Sequence, residues 1–95
     1  MSKEYKVIIS KSAEKSLSKM DSYTKRVIVS WLEEKLEQCN DPRQYGKSLT
    51  GDLSGKWRYR VGDYRIIAEI QDEKILILVL AIGHRREVYS GKIQI

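Results

Sequence analysis

The spacing of hydrophobic residues changes on either side of Pro42, the only proline, which follows Asn and Asp in a turn-forming stretch. Ahead of that turn, residues 5 to 9 read YKVII, and this β-branched run predicts a strand. Ser10 or Ser12 can then cap a short helix. The apolar face of that helix carries Ala13, Leu17 and Met20.

A second helix is predicted between Tyr23 and Cys39. Asp21 and Ser22 interrupt the first helical pattern and provide a new start. Apolar residues then recur at intervals of three or four: Val27, Ile28, Trp31, Leu32, Leu36 and Cys39. The first half of the chain is therefore predicted to run strand, helix, helix.

The second half has the alternation of β-strands. Residues 56 to 70 alternate around Gly62-Asp63, a dipeptide that suits a two-residue hairpin loop because glycine accepts positive φ. A second turn, QDEK, leads into residues 75 to 82, which are all apolar and predict a central strand covered on both faces. The predicted fold is α+β, in the order β-α-α-β-β-β. A largely antiparallel four-stranded sheet packs on two N-terminal helices, in one domain spanning residues 1–95.

The hairpin register places three arginines together. With Gly62-Asp63 as the loop, Arg60 lies opposite Arg65, and Arg58 shares their face of the sheet, here called the arginine face. The other face is predicted to pack on the helices: Trp57, Tyr59, Val61, Tyr64, Ile66, Ala68 and Ile70. Like charges across two strands cost a few tenths to about 1 kcal/mol. One interpretation is a solvated face with scattered charge. The other interpretation is a phosphate-binding face, and it is favoured because all three residues are arginines. A guanidinium group can hold a phosphate with two hydrogen bonds.

Composition supports an anionic partner. Of the 95 residues, 18 are Lys or Arg and 13 are Asp or Glu, which gives a net charge of +5. Such a surface favours nucleic acid, anionic membranes or acidic proteins. Cys39 is the only cysteine and no apolar N-terminal segment precedes residue 5, so we expect a cytoplasmic protein with no membrane role.

The stretch GHRREVY, residues 83 to 89, contains the candidate catalytic groups. Cleaving RNA without a metal needs a base for the 2′-hydroxyl, cations for the transition state and an acid for the leaving oxygen. His84, the only histidine, is either such a group or a surface or capping residue. Tyr89 acts as the general base, stacks on a nucleobase, or packs the last segment of the chain on the sheet. Arg85 and Tyr89 are expected to fold back over the arginine face.

Other kinds of catalytic site are absent from the sequence. It has no glycine-rich phosphate loop, no His and carboxylate grouping at metal-ligand spacing, no serine nucleophile elbow and no C-x-x-C motif. We therefore expect no metal and no cofactor.

Three blocks in register resemble the RelE branch of the RelE/ParE toxins of bacterial toxin-antitoxin systems. They are K-x-L-x-G from Lys47, W-R-x-R-x-G-D-Y-R from Trp57, and G-H-R-x-x-V-Y from Gly83. The resemblance is specific over residues 47 to 89. Over residues 1 to 46 it rests only on the β-α-α pattern.

The resemblance implies a ribosome-dependent endoribonuclease. RelE toxins cut messenger RNA in the 30S A site by 2′-hydroxyl attack, without a metal, and leave a cyclic phosphate. An acidic RelB-like antitoxin holds them inactive. By position, Arg65 matches the phosphate-stabilising arginine, Arg85 the C-terminal arginine that acts on the transition state or leaving group, and Tyr89 the tyrosine that orients the substrate.

The base is the main departure from the family pattern. Arg58 and Arg60 stand where well-known members carry lysines, and arginine stays protonated in practice. His84 or Tyr89 could replace them, or positioning on the ribosome could make a weak base sufficient. We assign RNA binding to Arg58, Arg60, Lys56 and Arg86. The alternatives are a ParE-like inhibitor of DNA gyrase without nuclease activity and a plain RNA-binding module.

Overall fold

Two helices pack on one face of a five-stranded sheet. The structure, a computed structural model, describes residues 4–86. Its strands are β1 (Lys6–Ile9), β2 (Lys47–Ser48), β3 (Trp57–Val61), β4 (Tyr64–Gln71) and β5 (Leu76–His84), and its helices are α1 (Lys11–Ser18) and α2 (Ser22–Trp31). The sheet order is β1-β5-β4-β3-β2, with β1 parallel to β5 and the other pairs antiparallel.

The predicted α+β class is confirmed, with one more strand than expected. The prediction of four strands missed β2, a two-residue edge strand in which Lys47 pairs with Arg58 and Ser48 with Trp57. A strand this short has no detectable alternation, so only its partner defines it.

Side-chain caps begin both helices. The Ser10 hydroxyl, rather than that of Ser12, accepts a hydrogen bond from the Ala13 amide at 3.1 Å. At α2, one Asp21 oxygen accepts from the Thr24 amide at 3.1 Å and the other from the Thr24 hydroxyl at 2.6 Å. These bonds, the hydroxyl bond first, hold the pKa of Asp21 below its ordinary value. Each cap satisfies a backbone donor that the first turn leaves unpaired.

The second helix ends before Cys39, so its predicted length is wrong. After Trp31 the chain makes one π-helical turn, Leu32–Leu36, closed by a hydrogen bond from the Glu37 amide to the Leu32 carbonyl at 2.9 Å. The Gln38 amide then donates to the Tyr5 carbonyl at 2.8 Å, and the Tyr5 amide donates to the Cys39 carbonyl at 2.9 Å. The backbone groups that would continue the helix are thus used at the edge of the sheet.

The hairpin has the predicted register. Arg60 pairs with Arg65 and Val61 with Tyr64, and Gly62 takes a φ of 59° in the turn. The residues assigned to the helix side do lie in or against the core. They pack with residues from both helices and the π turn: Ala13, Leu17, Ile28, Leu32 and Leu36.

Strand β5 is interior, but only part of it is covered on both faces. Ile77 and Val79 are buried in the core, whereas Leu76, Leu78 and Leu80 are half-buried. A bulge between Ile67 and Ala68 of β4 leaves Leu80 as the extra residue of β5. The apolar run therefore combines an alternating strand with a phase change at the bulge.

Gly46 sits where the backbone approaches β3. Its φ is +77°, and a Cβ there would collide with the carbonyl oxygen of Arg58. Gly55 has a similar φ of +89° with nothing near its missing Cβ.

These two glycines form a matched test of that close approach. We expect Gly55→Ala to lower the free energy of unfolding by about 1–2 kcal/mol, the cost of left-handed backbone. Gly46→Ala should lose about 1–3 kcal/mol more, because β3 must also shift. Urea unfolding of both variants measures the difference. Equal losses would contradict the close approach.

Candidate nucleic-acid interface

The arginine face points away from both described helices. Arg58, Arg60 and Arg65 alternate along β3 and β4 with Tyr59 and Ile66, which are buried in the core against the helices. The short strand β2 adds Lys47, paired in register with Arg58. Sequence reasoning missed Lys47 as a neighbour of this face, because only the strand pairing brings it there.

Arg65 is the arginine of this face whose side chain is buried and held by backbone carbonyls. The residue is only 3% exposed, and its Nη1 donates to the carbonyls of Gly62 at 2.9 Å and Tyr64 at 3.0 Å. These carbonyl dipoles offset part of the repulsion from Arg60 directly across the hairpin. The hairpin turn therefore orients the guanidinium, whereas Arg60 is exposed at the surface.

Lys56, the residue before β3, is paired with a carboxylate. Its Nζ lies 3.0 Å from Oε1 of Glu69, and the side-chain Nε2 of Gln71 donates to the other Glu69 oxygen at 2.6 Å. The bond from Lys56, followed by that from Gln71, holds the pKa of Glu69 below its ordinary value. Glu69 therefore offsets part of the charge that Lys56 offers to a bound anion.

His84 lies on the opposite side of the sheet from Arg65. It pairs in register with Tyr64, while Gly83 pairs with Arg65. The rings of His84 and Tyr64 meet edge to face with centroids 5.6 Å apart. Nδ1 of His84 accepts a hydrogen bond from the backbone amide of Arg86 at 3.2 Å.

The remaining candidates lie at or beyond the end of β5. Arg85 is exposed, and its amide donates to the Asp63 carbonyl at 2.8 Å, which places it at the hairpin turn. Arg86 is also exposed. Tyr89 lies outside the described residues, so its predicted return over the arginine face stays a prediction. The described structure thus assembles Arg58, Arg60 and Arg65, sets Arg85 at the hairpin end, and turns His84 to the helix side.

Two further findings concern residues 4–86 only. No three His, Cys, Asp or Glu side chains in this range converge into a possible metal site. No helix in it is both long and apolar enough to span a membrane.

The Lys56–Glu69 pair leads to a prediction about pH. Glu69→Gln should lower the free energy of unfolding at pH 7 by less than about 1 kcal/mol, as expected for a partly exposed pair. A carboxyl group whose pKa is lower in the folded state stabilises the fold at pH values above the ordinary pKa of Glu. That contribution is lost as the pH falls through the folded-state pKa. The difference between the parent chain and Glu69→Gln should therefore vanish in acid.

Urea unfolding at several pH values measures this effect. Glu73→Gln, an exposed change in the turn before β5, is the control and should show no such trend. A difference for Glu69→Gln that persists unchanged at pH 2 would contradict the ion-pair origin.

A family model described as the ParE toxin of the type II toxin-antitoxin system parDE matches residues 7–89. The toxin RelG of Mycobacterium tuberculosis is 35% identical over 49 residues, which make up 52% of this chain and 56% of RelG. The match thus spans about half the length of that relative.

Solved structures share the fold. The toxin-antitoxin complex RelBE2 of M. tuberculosis contains a chain 28% identical, with a TM-score of 0.78, over 86% of this chain and 92% of that one. The isolated Escherichia coli RelE toxin is 26% identical with a TM-score of 0.67, over 93% and 94%. The RelE–RelB complex of Pyrococcus horikoshii gives 25% and 0.64, over 86% and 96%.

Proposed function

The chain belongs to the ParE toxin family of type II toxin-antitoxin systems, within the RelE/ParE superfamily, and from this premise we propose that it is a messenger RNA endoribonuclease. It acts in the cytoplasm on messenger RNA in the 30S A site and needs no metal. The observation that carries the proposal is the arginine face. Arg65 is buried and oriented by the hairpin turn, beside an exposed Arg60.

The proposed reaction is an internal transfer at one phosphodiester. The ribose 2′-oxygen forms a bond to phosphorus while the bond from phosphorus to the 5′-oxygen of the next nucleotide breaks. The 2′-hydroxyl gives its proton to a base and the departing 5′-oxygen gains one, so the products are a cyclic phosphate and a 5′-hydroxyl. The transition state carries extra negative charge on the phosphate oxygens, which fixed cations stabilise most strongly.

Each residue has a distinct proposed role. Arg65 stabilises the phosphate oxygens, since a guanidinium already held in place needs little reorganisation during reaction. Arg85, at the hairpin end, stabilises the leaving oxygen, and Tyr89 stacks on and orients the substrate. Arg58, Arg60, Lys56 and Arg86 bind the RNA backbone. These last four tolerate sequence variation in the RNA because phosphate contacts carry no base information.

Tyr89 or His84 supplies the base in this proposal, because the arginines remain protonated. The His84 ring lies on the helix side beside Tyr64, so its participation requires the RNA to pass round the hairpin end. Positioning by the ribosome lowers the demand on either group.

The proposed partner is an acidic RelB-like antitoxin. Beside the arginine face, Ile8 is 49% exposed and its register partner Leu78 is half-buried. A segment that combines carboxylates with apolar residues can cover the cations and this apolar strip together. Such a cover would exclude RNA from the arginine face.

The test is mapping of messenger RNA 5′ ends by primer extension after tightly controlled expression. We expect cuts that require translation, and a loss of about 100-fold or more in Arg85→Ala, since removing one transition-state donor typically costs that much. Arg26→Ala removes an exposed arginine of α2 and should cut like the parent chain. Growth arrest without cuts, unchanged in Arg85→Ala, would contradict the nuclease and favour gyrase inhibition.

A further inference from the structure

A cavity of about 460 Å³ opens on the helix side of the sheet, behind the hairpin. Ser16, Lys19 and Asp21 line it from the end of α1 and the start of α2, while Tyr64 and His84 line it from the sheet. Its volume falls within the range of small-molecule sites. Of the roles proposed for the nuclease, only that of His84 as a base involves a residue of this cavity.

The sheet wall of the cavity is aromatic. Tyr64 and His84 are both half-buried, and their rings meet edge to face. Met20 adds an apolar surface. Flat heterocycles stack on such rings, and this stacking strengthens the binding of single-stranded nucleic acid.

A row of lysines leads to the mouth of the cavity. Lys11, Lys15 and Lys19 are four residues apart, which places them on one side of α1 at steps of about 6 Å. All three are exposed. The two ion pairs found among residues 4–86 involve Arg43 and Lys56 instead. The lysine row can therefore follow a phosphate backbone.

We propose that this cavity binds one nucleotide of an RNA strand, with the base against Tyr64 and His84 and the adjoining phosphates along Lys19 and Lys15. Asp21 favours a base over a bare anion inside the cavity. Its carboxylate stands at the wall, committed to Thr24, and would repel a phosphate or an acidic side chain. An exocyclic amino group of a base has no such conflict.

The site deepens the proposed function and rests on it for the identity of the RNA. Tyr64 precedes Arg65 in β4, and their register partners His84 and Gly83 are adjacent in β5. The cavity and the arginine face thus meet at the end of the hairpin from opposite sides. A strand rounding that end would place a flanking nucleotide in the cavity while its scissile phosphate lies on the arginine face.

The test uses two matched serine variants of α1 in the full chain. Ser16→Phe fills the cavity, whereas Ser18→Phe places the same ring on an exposed position outside it. Binding of hexaadenylate and hexauridylate RNA is measured by fluorescence anisotropy. We expect Ser16→Phe to weaken binding about tenfold and Ser18→Phe to change it less than twofold.

A second pair of variants and an NMR signal distinguish a loss of RNA binding from misfolding. Lys19→Ala should weaken binding more than Lys25→Ala, an exposed lysine of α2 outside the cavity. His84 is the only histidine, so its ring protons give an unambiguous NMR signal in tag-free protein. That signal should shift with added RNA in the parent chain and in Ser18→Phe, and stay in place in Ser16→Phe.

RNA affinity unchanged in Ser16→Phe and Lys19→Ala, with a His84 signal that ignores RNA, would overturn the proposal. So would a Ser16→Phe defect confined to binding an acidic peptide. The result for RNA binding in the cavity can be distinguished from the result for the proposed nuclease. RNA binding that depends on Ser16 without ribosome-dependent cuts supports the cavity and rejects the nuclease. Cuts lost in Arg85→Ala with an unaffected Ser16→Phe do the reverse.

Discussion

The two-residue turn at Gly62-Asp63 is the constraint on which the rest of the site depends. It fixes β3 against β4, and a slip of one residue would exchange the two faces of the hairpin. In the observed register Tyr59 and Ile66 lie in the core, and Arg58, Arg60 and Arg65 lie on the opposite face of the hairpin. The buried face and the cationic face are therefore two consequences of one turn.

The same hairpin contains the main conflict between stability and function. Arg60 and Arg65 face each other across two strands, an arrangement that sheets disfavour. Arg65 is retained by bonding to the carbonyls of the turn, so the turn that creates the conflict also relieves part of it. The result is a cation whose position is set before any ligand arrives.

Hydrogen bonds between residues distant in the chain determine where the helical pattern ends and where His84 and Gly83 lie. The Tyr5 carbonyl accepts one hydrogen bond from the Gln38 amide, and the Tyr5 amide donates one to the Cys39 carbonyl. These two bonds end the helical pattern and join the N-terminal half to the sheet. The pairing of β4 with β5 turns His84 toward Tyr64 and sets Gly83 opposite Arg65. Without a side chain at Gly83, the arginine face has no further group at that point in β5.

The sequence by itself determined what depends on near neighbours. The Gly62 turn and the alternation around it determined the hairpin and the arginine face, and Asp21 and Ser22 marked the break between the two helices. The choice between Ser10 and Ser12 as the cap of α1 was left open. Only the tertiary structure decided the two-residue strand at Lys47, the end of α2, the bulge at Leu80 and the side on which His84 lies. These depend on hydrogen bonds between residues distant in the chain, which leave no periodic signal in either partner alone.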